Sequence, residues 1–260
     1  MTRLFPYPAN FNLALAQEAA TLVLAAYDQY QAFVNHTAWT FPQGYDDLGQ
    51  FKAKPAGLFP KAEPFGFVAR NQTTQNIFVT FRGTQSLDDW LSNVTFPQKP
   101  FPAQGWGNVE DGFLDIYVQC AGVIQSGVGG ASHAYVIGHS LGGALATLAG
   151  ADLASRGKSV SMYNFASPRT GDPAFADKFN ATITDSWRIV NTEDIVTTVP
   201  LSTLAFSSAK LNTFHAILAL ASREGLSLNF EHVGVPINFT WFKGSIAENH
   251  SMLTYNAAIR

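Results

Sequence analysis

The 260 residues carry 16 Lys or Arg against 19 Asp or Glu, a formal net charge of −3, and 47% of them are hydrophobic. Charged residues make up only 13%, about half the usual share of ~25%. This argues against a nucleic-acid or other polyanion-binding surface and leaves a weakly charged exterior compatible with apolar substrates. A single cysteine, Cys120, excludes an intrachain disulfide and a cysteine-based metal site. It reads as a small buried hydrophobe.

No stretch reaches the ~18 consecutive apolar residues of a membrane-crossing helix. The first residues lack the pattern of a secretory signal, because Arg3 is followed by prolines and Glu18 stands before the most apolar part. Asn10 caps a predicted helix running to about residue 30, with Leu15, Ala19, Leu22, Val23, Ala26 and Tyr27 at helical spacing. Residues 35–64, rich in Pro, Gly and aromatics, predict irregular structure. Residues 65–70 and 76–81 predict an antiparallel pair of strands joined by a polar turn. Leu87, Trp90, Leu91 and Val94 then share one face of a short helix bounded by Ser86 and Pro97. Alone it is marginal, so it leans on whatever its apolar face covers.

Further helices are predicted at 112–125, 144–153 and 174–180, and strands at 134–137, 159–165 and 186–191. An apolar helix is read at 214–222, an edge hairpin at 229–240 and a terminal helix at 252–258. No linker, repeat or low-complexity tract divides the chain, so residues 1–260 read as one domain. The alternation of strand and helix predicts an α/β fold with a mostly parallel sheet covered on both faces.

The stretch richest in chemistry is Gly138-His139-Ser140-Leu141-Gly142, set between an apolar run with β-branched residues and an Ala/Leu-rich helix. G-x-S-x-G at a strand-to-helix turn is the pattern of a nucleophile elbow. Glycines at 138 and 142 let strand and helix approach closely. The first N–H groups of the helix have no intrahelical acceptor and are available to an oxyanion. Such a serine needs a base, and the base an orienting carboxylate, in the chain order Ser, Asp or Glu, His. Glu193 and Asp194 directly follow a convincing strand, at the end where parallel sheets hold their chemistry. Asp172, in Gly-Asp-Pro, reads as a turn residue. His215 lies in an apolar helix pattern, His232 in the expected edge hairpin, and His250 in a polar loop able to reach across the sheet edge. Spacing favours His250 without excluding the other two. His139 reads as a packing residue.

Seven motifs occur in order over about residues 65–257: Phe81-Arg-Gly-Thr-Gln-Ser, Gly112-Phe-Leu-Asp, Gly138-His-Ser-Leu-Gly-Gly-Ala, Pro168-Arg-Thr-Gly-Asp-Pro, Asn191-Thr-Glu-Asp-Ile-Val-Thr-Thr-Val-Pro, His232-Val-Gly and His250-Ser-Met-Leu-Thr-Tyr. Together they resemble the class 3 lipases of the filamentous-fungal type. The resemblance implies an α/β-hydrolase fold with a short helical lid at 85–97 carrying Leu87, Trp90, Leu91 and Val94. It implies a triad of Ser140, Asp194 and His250, and an oxyanion hole of Thr84, through its N–H and hydroxyl, with the Leu141 N–H. His232-Val-Gly is structural in that reading.

The implied activity is serine carboxylic-ester hydrolysis, foremost that of a triacylglycerol lipase working through an acyl-enzyme at a lipid–water interface. The resemblance implies no cofactor and no metal. Phospholipase A1 and feruloyl or short-chain esterases share the fold and triad, and a non-catalytic lipid-binding relative is a further alternative. Members are usually secreted, and an Asp commonly precedes the final histidine where this chain has Asn249.

Overall fold

The computed structural model of the chain describes residues 7–54, 61–84, 96–200 and 229–260. The expected lid helix, with Leu87, Trp90, Leu91 and Val94, and the expected helix at 214–222, with His215, lie outside the described residues.

Nine strands are described: β1 (Tyr45–Ala53), β2 (Glu63–Asn71), β3 (Ile77–Phe81), β4 (Gln98–Pro100), β5 (Asn108–Glu110), β6 (His133–His139), β7 (Ser159–Phe165), β8 (Asp185–Asn191) and β9 (Val235–Phe239). Seven form one sheet in the order β1-β2-β3-β6-β7-β8-β9. The first three run antiparallel, and β3, β6, β7, β8 and β9 then pair in parallel. The helices are α1 (Leu13–Val34), α2 (Asp111–Val128), α3 (Leu141–Ser155), α4 (Pro173–Thr182), α5 (Ile246–His250) and α6 (Met252–Ala258).

Because side chains alternate across a strand, each buried strand feeds two cores. Val136 and Met162 join Leu148 of α3 and Phe179 of α4 on one face. Ile137, Tyr163 and Trp187 join Leu22 and Ala26 of α1 and Tyr255 of α6 on the other. This is the α/β-hydrolase arrangement expected, with a largely parallel sheet covered on both faces.

Several local expectations are corrected. The stretch read as irregular contains β1. It is an edge strand that buries only Phe51 and Ala53, and register shifts at Asp47/Gly49 and Phe51/Lys52 break the period of two by which a strand is recognised. The α1 cap is Asn12, whose Oδ1 accepts the Leu15 N–H at 3.1 Å, not Asn10. The expected hairpin at 229–240 is absent. β9 pairs in parallel with β8, while Glu231 bridges to Gly171. Asp172 is more than a turn residue: it caps α4, its Oδ1 accepting the Phe175 N–H at 2.8 Å. His250 closes α5 instead of lying in a loop, because Ser245 caps that helix at the Glu248 N–H.

Candidate active site

β6 ends at His139 and α3 begins at Leu141, leaving Ser140 at the turn with φ 58° and ψ −131°. A positive φ is strained for a residue with a Cβ and persists only where its surroundings enforce it. Here the Ser140 N–H donates to the Phe165 carbonyl at 3.0 Å, and the Ser140 carbonyl accepts the Gly143 N–H at 2.8 Å. A Cβ at Gly138 would overlap the Gly142 carbonyl, and one at Gly142 would overlap the Arg82 carbonyl. The elbow can therefore close only with glycine at both positions. Leu141 opens α3, so its N–H has no intrahelical acceptor.

Asp194 lies just beyond β8, capping a short 3-10 turn (Ile195–Thr198) through the Val196 N–H at 3.0 Å. Its other oxygen, Oδ2, accepts from His250 Nδ1 at 2.7 Å and from the Tyr255 hydroxyl at 2.7 Å. Burial and the Asp194 charge hold the Tyr255 hydroxyl well above its usual pKa, so it stays a donor. A carboxylate only accepts, so Nδ1 of His250 carries the proton and Nε2 is left as the open ring nitrogen of the neutral imidazole. Of the two adjacent carboxylates the fold brings Asp194, not Glu193, to a histidine. His232 is elsewhere, bonded through Nε2 to the Thr197 carbonyl. The Ser140 Oγ and the His250 Nε2 are both buried and neither has a hydrogen-bond partner.

The end of β8 holds the histidine segment by amides. Asn191 Nδ2 donates to the Trp241 and Asn249 carbonyls at 2.9 and 3.0 Å, and its Oδ1 accepts the Trp241 N–H. Asn249 Nδ2 donates to the Glu193 carbonyl at 3.1 Å while its Oδ1 accepts the Lys243 N–H. An aspartate at 249 could not make the first of these bonds, which gives the asparagine a physical use.

The exit of β3 lies against the elbow. A Cβ on Gly83 would sit 2.7 Å from the Ser140 Cβ and 2.8 Å from the His139 carbonyl oxygen, which puts Thr84, the next residue, beside the serine. Arg82 is buried between the Tyr30 and Phe65 rings, at 4.0 and 4.5 Å, and is ion-paired with Glu63. Burial lowers its pKa and the Glu63 charge opposes that shift. Its Nη1 donates to the Gly83 carbonyl at 2.7 Å. In a trans peptide the C=O and the following N–H point oppositely, so this grip sets the direction of the Thr84 N–H. Sequence reasoning gave Arg82 no role, although it stands in the Phe81-Arg-Gly-Thr motif at the end of an apolar strand.

His139 is also more than a packing residue. Its Nε2 bonds to the His250 carbonyl at 2.7 Å and its Nδ1 to the Tyr27 hydroxyl at 2.7 Å. Among the described residues no group of three or more His, Cys, Asp or Glu side chains could hold a metal ion, and no helix is long and apolar enough to cross a membrane.

The profile of the family described as "Lipase (class 3)" matches residues 78–204, from β3 through the elbow to the residues beyond Asp194. A lipase of Rhizomucor miehei is 35% identical over 153 residues, which are 55% of this chain and 42% of that protein. Over this stretch the chain resembles the class 3 lipases. The secreted mono- and diacylglycerol lipase 1 of Fusarium solani is 32% identical over 140 residues, covering 52% of this chain and 42% of the relative. The chain thus spans about two fifths of the length of these two curated relatives, 42% of each. Among solved structures it is similar to one described as a triacylglycerol lipase whose catalytic centre is a serine protease triad. That likeness has a TM-score of 0.59 and 26% identity over 73% of this chain and 75% of the other.

Proposed function

We propose that this chain is a class 3 lipase that hydrolyses the carboxylic esters of lipids, triacylglycerols foremost, with Ser140 as nucleophile, His250 as base and Asp194 as the orienting carboxylate. The reading rests above all on the Asp194–His250 contact of 2.7 Å, which leaves the buried Nε2 open, with the His250 ring 4.8 Å from that of His139, the residue before the elbow serine. His250 Nε2 takes the Ser140 proton as the Oγ attacks the ester carbonyl. The tetrahedral oxyanion is received by the N–H groups of Thr84 and Leu141 and by the Thr84 hydroxyl. The imidazolium, held by Asp194, then protonates the leaving alcohol. Water repeats the sequence in reverse to release the fatty acid. Residues 1–260 act as one α/β-hydrolase unit in this reading, and the substrate is met at a lipid–water interface, outside the cell as for the relative named as secreted.

The test is labelling and turnover together. An alkyl organophosphonate should attach to Ser140, and Ser140→Ala should abolish both the labelling and the hydrolysis of emulsified triglyceride and p-nitrophenyl esters. Unlabelled wild-type protein without ester turnover would end the proposal. Parallel rates on phosphatidylcholine and on aryl feruloyl esters read the substrate class, and faster turnover of either than of triglyceride would overturn the triacylglycerol assignment.

A further inference from the structure

α1 contributes nothing to the chemistry just described, yet one of its side chains reaches the centre of the site. The Tyr27 hydroxyl accepts the Gly83 N–H at 3.0 Å and bonds to His139 Nδ1 at 2.7 Å. His139 Nε2 in turn bonds to the His250 carbonyl at 2.7 Å. The direction of every link is forced. A carbonyl can only accept, so Nε2 of His139 carries the hydrogen. Burial, with the His250 ring beside it, holds His139 well below the usual histidine pKa, so the ring is neutral and Nδ1 is an acceptor. The Tyr27 O–H therefore points at Nδ1, leaving an oxygen lone pair for the Gly83 N–H. The result is one chain, Gly83 N–H to Tyr27, Tyr27 to His139, His139 to the backbone of His250.

We propose that Tyr27 and His139 are positioning residues for the ester hydrolysis proposed above, holding the Thr84 arm, the serine elbow and the histidine segment in register. The inference rests on that reading of Ser140, Asp194 and His250. The three segments come from residues 83, 139 and 250, and the end of β8 holds the last of them from one side only, through Asn191 and the Asn249 carbonyl. β9 ends at Phe239 and α5 has only five residues. Asp194 sets the rotation of the His250 ring, and His139, adjacent in the chain to the serine, ties the His250 carbonyl to the elbow. The rings of His139 and His250 lie 4.8 Å apart between centroids, and the Tyr255 ring lies edge-on to His139 at 5.8 Å. A neutral His139 at this distance puts no second positive charge beside the His250 ring. Simple packing would fill the same space without needing these donors and acceptors.

The experiment uses the full chain and measures kcat and KM on a p-nitrophenyl ester, the rate of Ser140 phosphonylation, and the thermal midpoint. Tyr27→Phe and His139→Leu should each lower kcat and the phosphonylation rate tenfold or more, with KM within twofold. His139→Gln, whose Nε2 can still donate to the His250 carbonyl, should recover most of the loss. The double variant Tyr27→Phe/His139→Leu should be no slower than His139→Leu alone. Single variants within twofold of wild type in kcat, or a glutamine variant no better than leucine at equal thermal midpoint, would overturn the proposal. Tyr27→Phe keeps the ring and its contacts, so it carries the test where His139→Leu fails to fold. Failure of the underlying reading looks different: the wild-type protein itself would resist phosphonylation.

Discussion

A serine hydroxyl at neutral pH is a poor nucleophile, and in the function proposed for this protein each remedy is a particular atom at a particular distance. Asp194 Oδ2 takes two charge-assisted bonds, from His250 and Tyr255, so the imidazole is held in a single tautomer. On the opposite side, Arg82 fixes the Gly83–Thr84 peptide through the Gly83 carbonyl. An oxyanion donor acts by charge that is already in place when the tetrahedral intermediate forms, and losing one typically costs about 3 kcal/mol, roughly a hundredfold or more in rate. Thr84→Val removes the hydroxyl and keeps the backbone. It should lower kcat on short p-nitrophenyl esters by about that factor with an unchanged melting temperature, and equal activity would remove Thr84 from the hole.

Among the elements, caps and close approaches carry the information. α2 starts from Glu110, whose Oε2 accepts the Phe113 N–H at 2.6 Å in a site only 5% exposed. Burial, opposed by the Phe113 and Gly112 N–H groups, raises its pKa from 4.5 to about 7. The native state thus binds this proton more tightly than the unfolded chain. The group's stabilising contribution is complete below pH 4.5 and is lost as pH rises through about 7. The full effect is about 3 kcal/mol by linkage. Glu110→Gln keeps an acceptor for the Phe113 N–H and cannot ionise. Urea midpoints measured from pH 4 to 8 should fall more for wild type than for this variant, and parallel curves would show that Glu110 does not titrate in that range. The elbow obeys a similar local logic, because its two glycines are dictated by backbone contact on both sides.

Across the whole molecule, one sheet separates two apolar cores that share strands but not side chains. Leu22 of α1 and Leu148 of α3 are buried on opposite faces. Leu→Ala at such sites typically costs about 2–5 kcal/mol, with the spread set by how far the cavity collapses. Sites without shared partners add to within about 0.5 kcal/mol. Denaturant unfolding of Leu22→Ala, Leu148→Ala and the pair should therefore give additive losses, and a large coupling term would mean that the sheet transmits strain between its faces.

Ser140's elbow and the strands flanking it were legible because strand, glycines and helix are contiguous, so hydrophobic period and backbone sterics act within a dozen residues. The mostly parallel, doubly covered sheet followed from the alternation of such segments. β1 was not legible, since a half-exposed edge strand with two register shifts has lost its period. Nor was the partnership of Asp194 with His250, 56 residues apart, or that of Tyr27 with His139, 112 apart. Spacing left three histidines and two carboxylates open; family resemblance named a pair, and the folded chain puts that pair in contact. Polar side chains from distant segments carry no periodic signature, and their pairing is imposed by desolvation. Once the sheet edge closes around them, each buried donor must find the acceptor that the topology has placed beside it.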